Sequence, residues 1–232
     1  MEKDNNFIYT GHENLLIMQH AQNYNKFLGK LIYHFGKKAH TVVDFGAGIC
    51  AFGGGVRQWA SKLICIEPDH FQNTILLEQG YDAYRSISEM PSAKVDYVYS
   101  VNVLEHIEHD GEALSQISSI MQPGGRLLVY VPSLPCLFSS MDTAVGHFRR
   151  YTKKNLINKV TNAGFTVVQC EYVDSLGILA TLLYKLSGNS KGSINIKALK
   201  FYDYYIFPLS RICDRALRRI AGKNIFVVCE KP

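Results

Sequence analysis

Asp44-Phe45-Gly46-Ala47-Gly48-Ile49-Cys50-Ala51-Phe52-Gly53-Gly54-Gly55 follows directly on the apolar run His40-Thr41-Val42-Val43 and leads into a helix-like stretch at 56–61. β-Branched residues running into closely spaced glycines read as a strand that turns sharply into a helix. Glycine at such a turn lets backbone approach a ligand closely, and the free amides of a helix start attract negative charge. A strand, a glycine turn and a helix in succession are the repeating unit of a parallel α/β sheet, so the flanking sequence is read for further copies of it.

Outward from the turn, apolar runs of the same kind occur at Lys62–Glu67, Val95–Ser100, Gly125–Val131 and Phe165–Cys170, with another at Ile225–Glu230 and a short one at 82–85. Helix-like stretches separate them. The pattern predicts a doubly wound, mostly parallel seven-stranded sheet covered on both faces. One domain over 1–232 is expected: an N-terminal helical segment (1–38), a core (39–175), a helical insertion (176–222) and a final strand (223–232). The insertion is far longer than an ordinary connection. Its apolar positions keep helical spacing, with Leu179, Leu182, Leu183 and Leu186, then Phe201, Tyr204, Tyr205, Phe207 and Leu209, and a polar break at 188–193 divides it. The stretch 176–186 reaches only about half of the ~20 apolar residues of a membrane span. Core packing, a lid over a substrate and a peripheral membrane contact are three open roles for it.

The 232 residues, with 47% hydrophobic and 19% charged, are enough for a core that needs no disulfide or metal. The six cysteines stand singly, without a C-x-x-C pair, and read as reduced residues of a cytoplasmic protein. No metal is expected, because the histidines and acids show no ligand spacing. Met1-Glu2-Lys3-Asp4-Asn5-Asn6 lacks the basic start and apolar run of a secretory signal. The net charge is +5, with Lys and Arg concentrated in the last third. That bias suits an anionic substrate or surface, and equally suits solvated helix faces.

The glycine pattern alone is weak, since Gly46, Gly48 and Ala51 also satisfy a dinucleotide fingerprint. Asp44 separates the readings. At the strand end its carboxylate would repel a pyrophosphate but would suit the cationic amino group of a methionyl moiety. Glu67, closing the second run, stands where an acid accepts from ribose hydroxyls. Both are also residues that cap turns.

Read in order, Val42-Val43-Asp44-Phe45-Gly46-Ala47-Gly48, Ile66-Glu67, Val95 through Asn102-Val103-Leu104-Glu105-His106-Ile107, and Gln122-Pro123-Gly124-Gly125-Arg126-Leu127-Leu128-Val129 make the chain resemble the class I S-adenosylmethionine-dependent methyltransferases, over roughly 40–170 and at the closing strand. The resemblance implies their Rossmann-like fold and S-adenosyl-L-methionine as cofactor. It implies that Asp44, Gly46 and Gly48 line the methionine part, that Glu67 binds the ribose, that Asn102 lies beneath the cofactor, and that Ser86 and Ile87 lie near the adenine. Two positions depart from the family: Cys50 stands where a third glycine is usual, and Ser86 where a carboxylate often is.

Past the strand at 125–131 comes Gly146-His147-Phe148-Arg149-Arg150-Tyr151, similar to a block in a subgroup of bacterial methyltransferases. His147 suits proton transfer near neutrality and is the expected general base. Adjacent arginines offer bidentate anion recognition, so Arg149, Arg150 and Tyr151 are expected at the substrate. The two arginines cannot face the same way, and one is expected to fix the loop on a carboxylate such as Asp142. The alternative is that the whole block is a folding clamp. The expected activity is methylation, at oxygen, of a small-molecule or of a glycan- or lipid-linked metabolite that carries an acidic group. An RNA methyltransferase and a non-catalytic S-adenosylmethionine-binding partner protein are the alternatives, and no RNA-binding domain or base-flipping tetrapeptide is present in the sequence.

Overall fold

The computed structural model describes residues 12–186 and 195–232, so the polar break at 188–193 lies outside the described residues. Seven strands, β1 (Thr41–Phe45), β2 (Lys62–Ile66), β3 (Asp82–Tyr84), β4 (Val95–Val101), β5 (Met121–Pro132), β6 (Thr166–Val173) and β7 (Asn224–Glu230), form one sheet in the order β3-β2-β1-β4-β5-β7-β6. The pairs β1·β2, β1·β4, β2·β3 and β4·β5 are parallel, and β7 runs antiparallel between β5 and β6. The expected α/β architecture is the one observed.

The helices are α1 (His12–Met18), α2 (Gln22–Gly36), α3 (Gly53–Val56), α4 (His70–Glu78), α5 (Asp110–Ile120), α6 (Ser140–Ala144), α7 (Lys153–Asn162), α8 (Gly177–Leu186), α9 (Ile196–Phe201) and α10 (Phe207–Leu217). Successive strand residues point to opposite faces, and each central strand is apolar on both. Val43, Ile64, Val98, Leu127 and Val227 pack on one side with Leu114 of α5 and Leu156 of α7. Val42, Cys65, Tyr97, Leu128 and Val228 pack on the other with Leu28 and Ile32 of α2 and Leu76 of α4. The helix expected at 56–61 is instead the four-residue α3, because three successive glycines are poor helix formers. So short a helix offers no appreciable dipole, and the expected pull of its amides on negative charge has no structural basis.

Two acids of the insertion hold it to the rest of the molecule. The N-cap of α2 is Ala21, which has no capping side chain. Asp203, within the π-helical turn Tyr202–Ile206, supplies the cap instead: its carboxylate accepts from the amides of Asn23 and Tyr24, each at 2.9 Å. Asp214 of α10 accepts from the amides of Asp174 (3.0 Å) and Ser175 (2.9 Å), just ahead of α8, while the Ser210 hydroxyl accepts from Leu176 N. Both acids are buried. Among the described residues no helix is long and apolar enough to cross a membrane.

Removing an N-cap oxygen typically costs about 1 kcal/mol and up to about 2. Asp203→Ala is expected to destabilise the protein by about 1–2 kcal/mol in urea unfolding, and Asp203→Asn by less. An unchanged midpoint for Asp203→Ala would show that the cap joining α2 to the insertion contributes nothing to stability.

Candidate active site

The chain runs outward from β1 to β2 and β3, then returns to the other side of β1 as β4, so strand order reverses between β1 and β4. In an open α/β sheet the ligand crevice lies outside the carboxyl ends of the strands at this reversal. Asp44 is the penultimate residue of β1 there, and Asn102 follows β4.

Gly46 has φ +79°, and a Cβ on it would lie 2.4 Å from Cγ2 of Val103; Gly48 has φ +52°. No side chain fits the first position, and the second favours glycine. Cys50 takes a left-handed φ of +49°, and its sulfur lies 3.7 Å from Oδ2 of Asp44 and 3.5 Å from Cys65 Sγ. A Cβ at Gly53 would strike that sulfur, so Gly53 makes the space for Cys50. Asp44 is buried and accepts from the Tyr99 hydroxyl at 2.7 Å. Burial, only partly offset by hydrogen bonds from Tyr99 and Cys50, pushes its carboxyl up to about 7.

Glu67 is buried as well and binds backbone: Oε2 accepts from Gly48 N at 2.7 Å and Oε1 from Asp69 N at 2.9 Å. Gln72 of α4 lies beside them. Its Oε1 is buried without a hydrogen-bond partner among the described residues, 3.4 Å from where a Cβ of Gly48 would stand. Leu15 of α1 reaches the same point at 3.4 Å, so the N-terminal helix covers the glycine turn. Asn102 is left-handed (φ +54°), with its amide on Tyr130 O at 2.8 Å and Nδ2 donating to the Tyr24 hydroxyl at 3.3 Å. Ser86 and Ile87 follow β3; Ser86 Oγ lies 2.8 Å from Ser88 Oγ, and Ile87 packs against the core.

The loop after β5 folds around one buried acid, Asp142 of α6. Its carboxylate accepts from Ser139 N (2.9 Å), from His147 Nδ1 (2.8 Å) and from the Arg150 fork at Nε (2.8 Å) and Nη2 (3.0 Å). Burial would raise this carboxyl, but His147 and Arg150 outweigh it and hold it at about 2. Gly146, at φ +80°, makes the turn that presents His147. The ring of His147 stacks edge-on against His106 with centroids 4.6 Å apart, and its Nε2 is 3.9 Å from Oε1 of Glu105. Glu105 is fully buried, and among the described residues its carboxylate has no hydrogen-bond partner beyond its own backbone amide. Burial pushes its carboxyl up to about 8 and, together with the neighbouring His147, lowers His106 to about 4.

The expected substrate contacts are corrected at two positions. Arg150 spends its fork on Asp142 with a side chain only 7% exposed, and Tyr151 is completely buried, its hydroxyl 2.8 Å from Asp110 and 3.0 Å from the Leu104 carbonyl. Burial on a charge-bearing carboxylate and within the core is what removes both from the surface. Arg149 pairs with Asp110 at 3.0 Å and donates to Glu108 O, but remains 28% exposed. Gln72 and Glu105 escaped the sequence reading. An unpaired polar residue in an apolar context was the available signal at Glu105, and the intervening strand β5 hides its proximity to His147.

The family model "Methyltransferase domain" matches residues 18–170. A Mycolicibacterium smegmatis protein described as a "probable S-adenosylmethionine-dependent methyltransferase" is 30% identical over 108 residues, 45% of this chain and 40% of that protein, so the match spans less than half of that relative. An Archaeoglobus fulgidus SAM-dependent methyltransferase superposes with a TM-score of 0.61 at 14% identity, covering 94% of this chain and 99% of that one. Phosphoethanolamine N-methyltransferase 2 of Haemonchus contortus, solved with S-adenosyl-L-methionine, gives a TM-score of 0.60 at 17% identity, with 91% of this chain and 52% of that one covered.

The two arginines should separate in stability. Stripping a buried carboxylate of its partner typically costs about 3–5 kcal/mol, whereas a part-exposed pair is worth about 1 or less. Arg150→Ala is therefore expected to lower unfolding free energy by about 3 kcal/mol or more and Arg149→Ala by about 1, since Lys159 stays on Asp110 at 2.6 Å. Equal losses in denaturant titrations would contradict this division of roles.

Proposed function

The chain belongs to the methyltransferase-domain family, and we propose that it transfers a methyl group from S-adenosylmethionine to a hydroxyl of a small, glycan-linked or lipid-linked metabolite that carries an acidic group. The observation that carries this reading is the placement of two buried carboxylates, Asp44 and Glu67, at adjacent strand ends around a glycine turn with no room for a side chain at Gly46. A buried carboxyl raised to about 7 is one that a cationic ligand group would return to its ionised form. Glu67 keeps lone pairs beyond its two amide bonds, and the orphaned Gln72 Oε1 is a further acceptor, so the residues fit a cofactor with an ammonium group and ribose hydroxyls. Asn102, Ser86 and Ile87 stand at neighbouring strand ends and complete the proposed cofactor set.

When bound, S-adenosylmethionine supplies an electrophilic methyl on a sulfonium whose thioether leaves readily. The chain's own task is then to position the acceptor and take its proton, and positioning alone can contribute ~7–11 kcal/mol. His147, held on the Asp142 carboxylate through Nδ1, has Nε2 left to take a proton and is the proposed group for the acceptor proton. Arg149 is the arginine of the pair with surface left for an anionic acceptor.

The insertion supports a lipid-linked acceptor. Its two acids are buried as caps, while Lys185, Lys197, Lys200, Arg215, Arg218 and Arg219 are exposed among exposed Leu179, Leu183, Leu186, Phe201 and Ile212. A basic face with exposed apolar side chains suits an anionic lipid surface.

Cofactor binding should report on Asp44. In the free protein its raised carboxyl is protonated below about pH 7, so its contribution to stability is complete below the usual value of 3.8 and is lost as pH rises through about 7. A bound cation favours the carboxylate and reverses the sign for affinity. Calorimetric titration with S-adenosylmethionine is expected to show tightening from about pH 6 to about pH 8, and Asp44→Asn should weaken binding and abolish the rise; a wild-type profile identical to that of Asp44→Asn would remove Asp44 from the cofactor site. Methyl transfer itself is read by incubating the protein with labelled cofactor and a small-molecule and lipid extract. His147→Gln should reduce labelling by about a hundred- to ten-thousand-fold with cofactor affinity unchanged, and labelling within a few-fold of wild type would dismiss His147.

A further inference from the structure

Glu105 poses a physical problem that the cofactor site does not solve. Its carboxylate is fully buried, has no hydrogen-bond partner among the described residues beyond its own backbone amide, and lies against two imidazoles. The acid next to it, Asp142, has already taken the Arg150 fork, so that cation neutralises Asp142. A buried carboxylate so short of donors and without a counter-charge is costly, and the groups facing it are nitrogen bases. One ligand atom each from Glu105, His106 and His147 lie within 4.8 Å of one another. We infer that these three side chains are the binding site of a divalent transition-metal ion of the zinc class.

The geometry permits it with small movement. A point equidistant from three atoms 4.8 Å apart lies about 2.8 Å from each, so an inward shift of roughly 0.7 Å per side chain meets the ~2.1 Å of zinc-type bonds. Two imidazoles and one carboxylate suit zinc, iron or cobalt, whereas magnesium prefers oxygen ligands. The outer shell is also in place: Asp142 accepts from Nδ1 of His147, which fixes the tautomer with Nε2 toward the site, and His106 hydrogen-bonds with backbone of Gly146 and Val145. Carboxylate and backbone partners of this kind commonly orient metal-bound histidines. His147 keeps 15% side-chain exposure, so the site opens outward on its side.

Three protein ligands leave a position for an exogenous oxygen. Resting on the methyltransferase reading, that position would take the acceptor hydroxyl: the ion bonds the oxygen, the O–H bond breaks, and its proton leaves to solvent, which lowers the barrier to attack on the methyl. His147 would then be a ligand through Nε2, and a metal-free His147 acting as base is the competing outcome.

Full-length protein, stripped with a chelator and dialysed, is titrated with Co²⁺ and followed by visible d–d absorption, then challenged with Zn²⁺. One Co²⁺ per chain, displaced by Zn²⁺, is expected. Outer-shell partners alone are worth ten- to a hundredfold in affinity, so the ligand variants Glu105→Gln and His147→Gln should each weaken Co²⁺ binding by more than about a hundredfold. Circular dichroism checks that each variant folds; should the buried Glu105→Gln fail, the part-exposed His147→Gln carries the comparison. Absence of stoichiometric Co²⁺ binding, or binding unchanged in the folded variants, overturns the site. Calorimetry with S-adenosylmethionine on the same stripped protein keeps the two readings apart. Cofactor binding without metal binding rejects the metal site and leaves the methyltransferase, whereas metal binding without cofactor binding does the reverse.

Discussion

A carboxylate removed from water must find donors inside the protein or give up its charge. Asp142 meets that demand with an amide, an imidazole and a bidentate guanidinium, and the loop after β5 is arranged around doing so. Its donors come from both ends of the loop 139–150, which closes the loop on itself. Phe148 N then bonds the Glu105 carbonyl at 2.8 Å and Tyr151 pairs with the end of β5, strapping the closed loop to the sheet. The orientation of His147 is a consequence of this closure. Glu105 shows the opposite case within the same cluster: burial, little offset by hydrogen bonding, drives its carboxyl to about 8, while Asp142 is held at about 2. Environment, not residue type, sets the two apart.

The turn after β1 obeys a different constraint, the scarcity of room. Gly46 is needed because Val103 occupies the space a side chain would take, and the left-handed Cys50 survives because Gly53 vacates a place for its sulfur. Glu67 then ties the Gly48 amide to the end of β2, so the turn is fixed before any ligand arrives. A turn held in this way binds without first having to be ordered, which lowers the entropic cost of association.

The sheet was legible because its information is local. Runs such as Thr41–Phe45 and Asn224–Glu230 are β-branched, apolar on both faces and bounded by polar turns, which leaves little else they can form. The glycine turn after β1 was legible for the same reason, its glycines and Asp44 being neighbours in sequence. Roles set by long-range pairing were not. That Arg150 faces inward and Arg149 outward depends on where Asp142 and Asp110 lie after folding, and the meeting of His106 with His147 depends on β5 passing between them in the chain. The short α3 was misjudged because the glycines that suit the turn also weaken the helix behind it.

The insertion ties these threads together through its charges. Asp203 and Asp214 are its only acids, and both are used up inside as caps, one on α2 and one ahead of α8. Both carboxylates are buried on those amides and Asp214 also pairs with Arg211 at 2.5 Å, so neither stands on the outer surface beside the exposed lysines and arginines. The same bonds that dock the insertion on the N-terminal helix and on the end of β6 therefore make its exposed face basic. Tyr24, whose amide Asp203 caps, also contacts Asn102 at the end of β4 and Phe207 at the start of α10. Docking of the insertion, surface charge and the rim of the crevice are thus coupled at one residue of α2, and a change at Asp203 would be felt at all three.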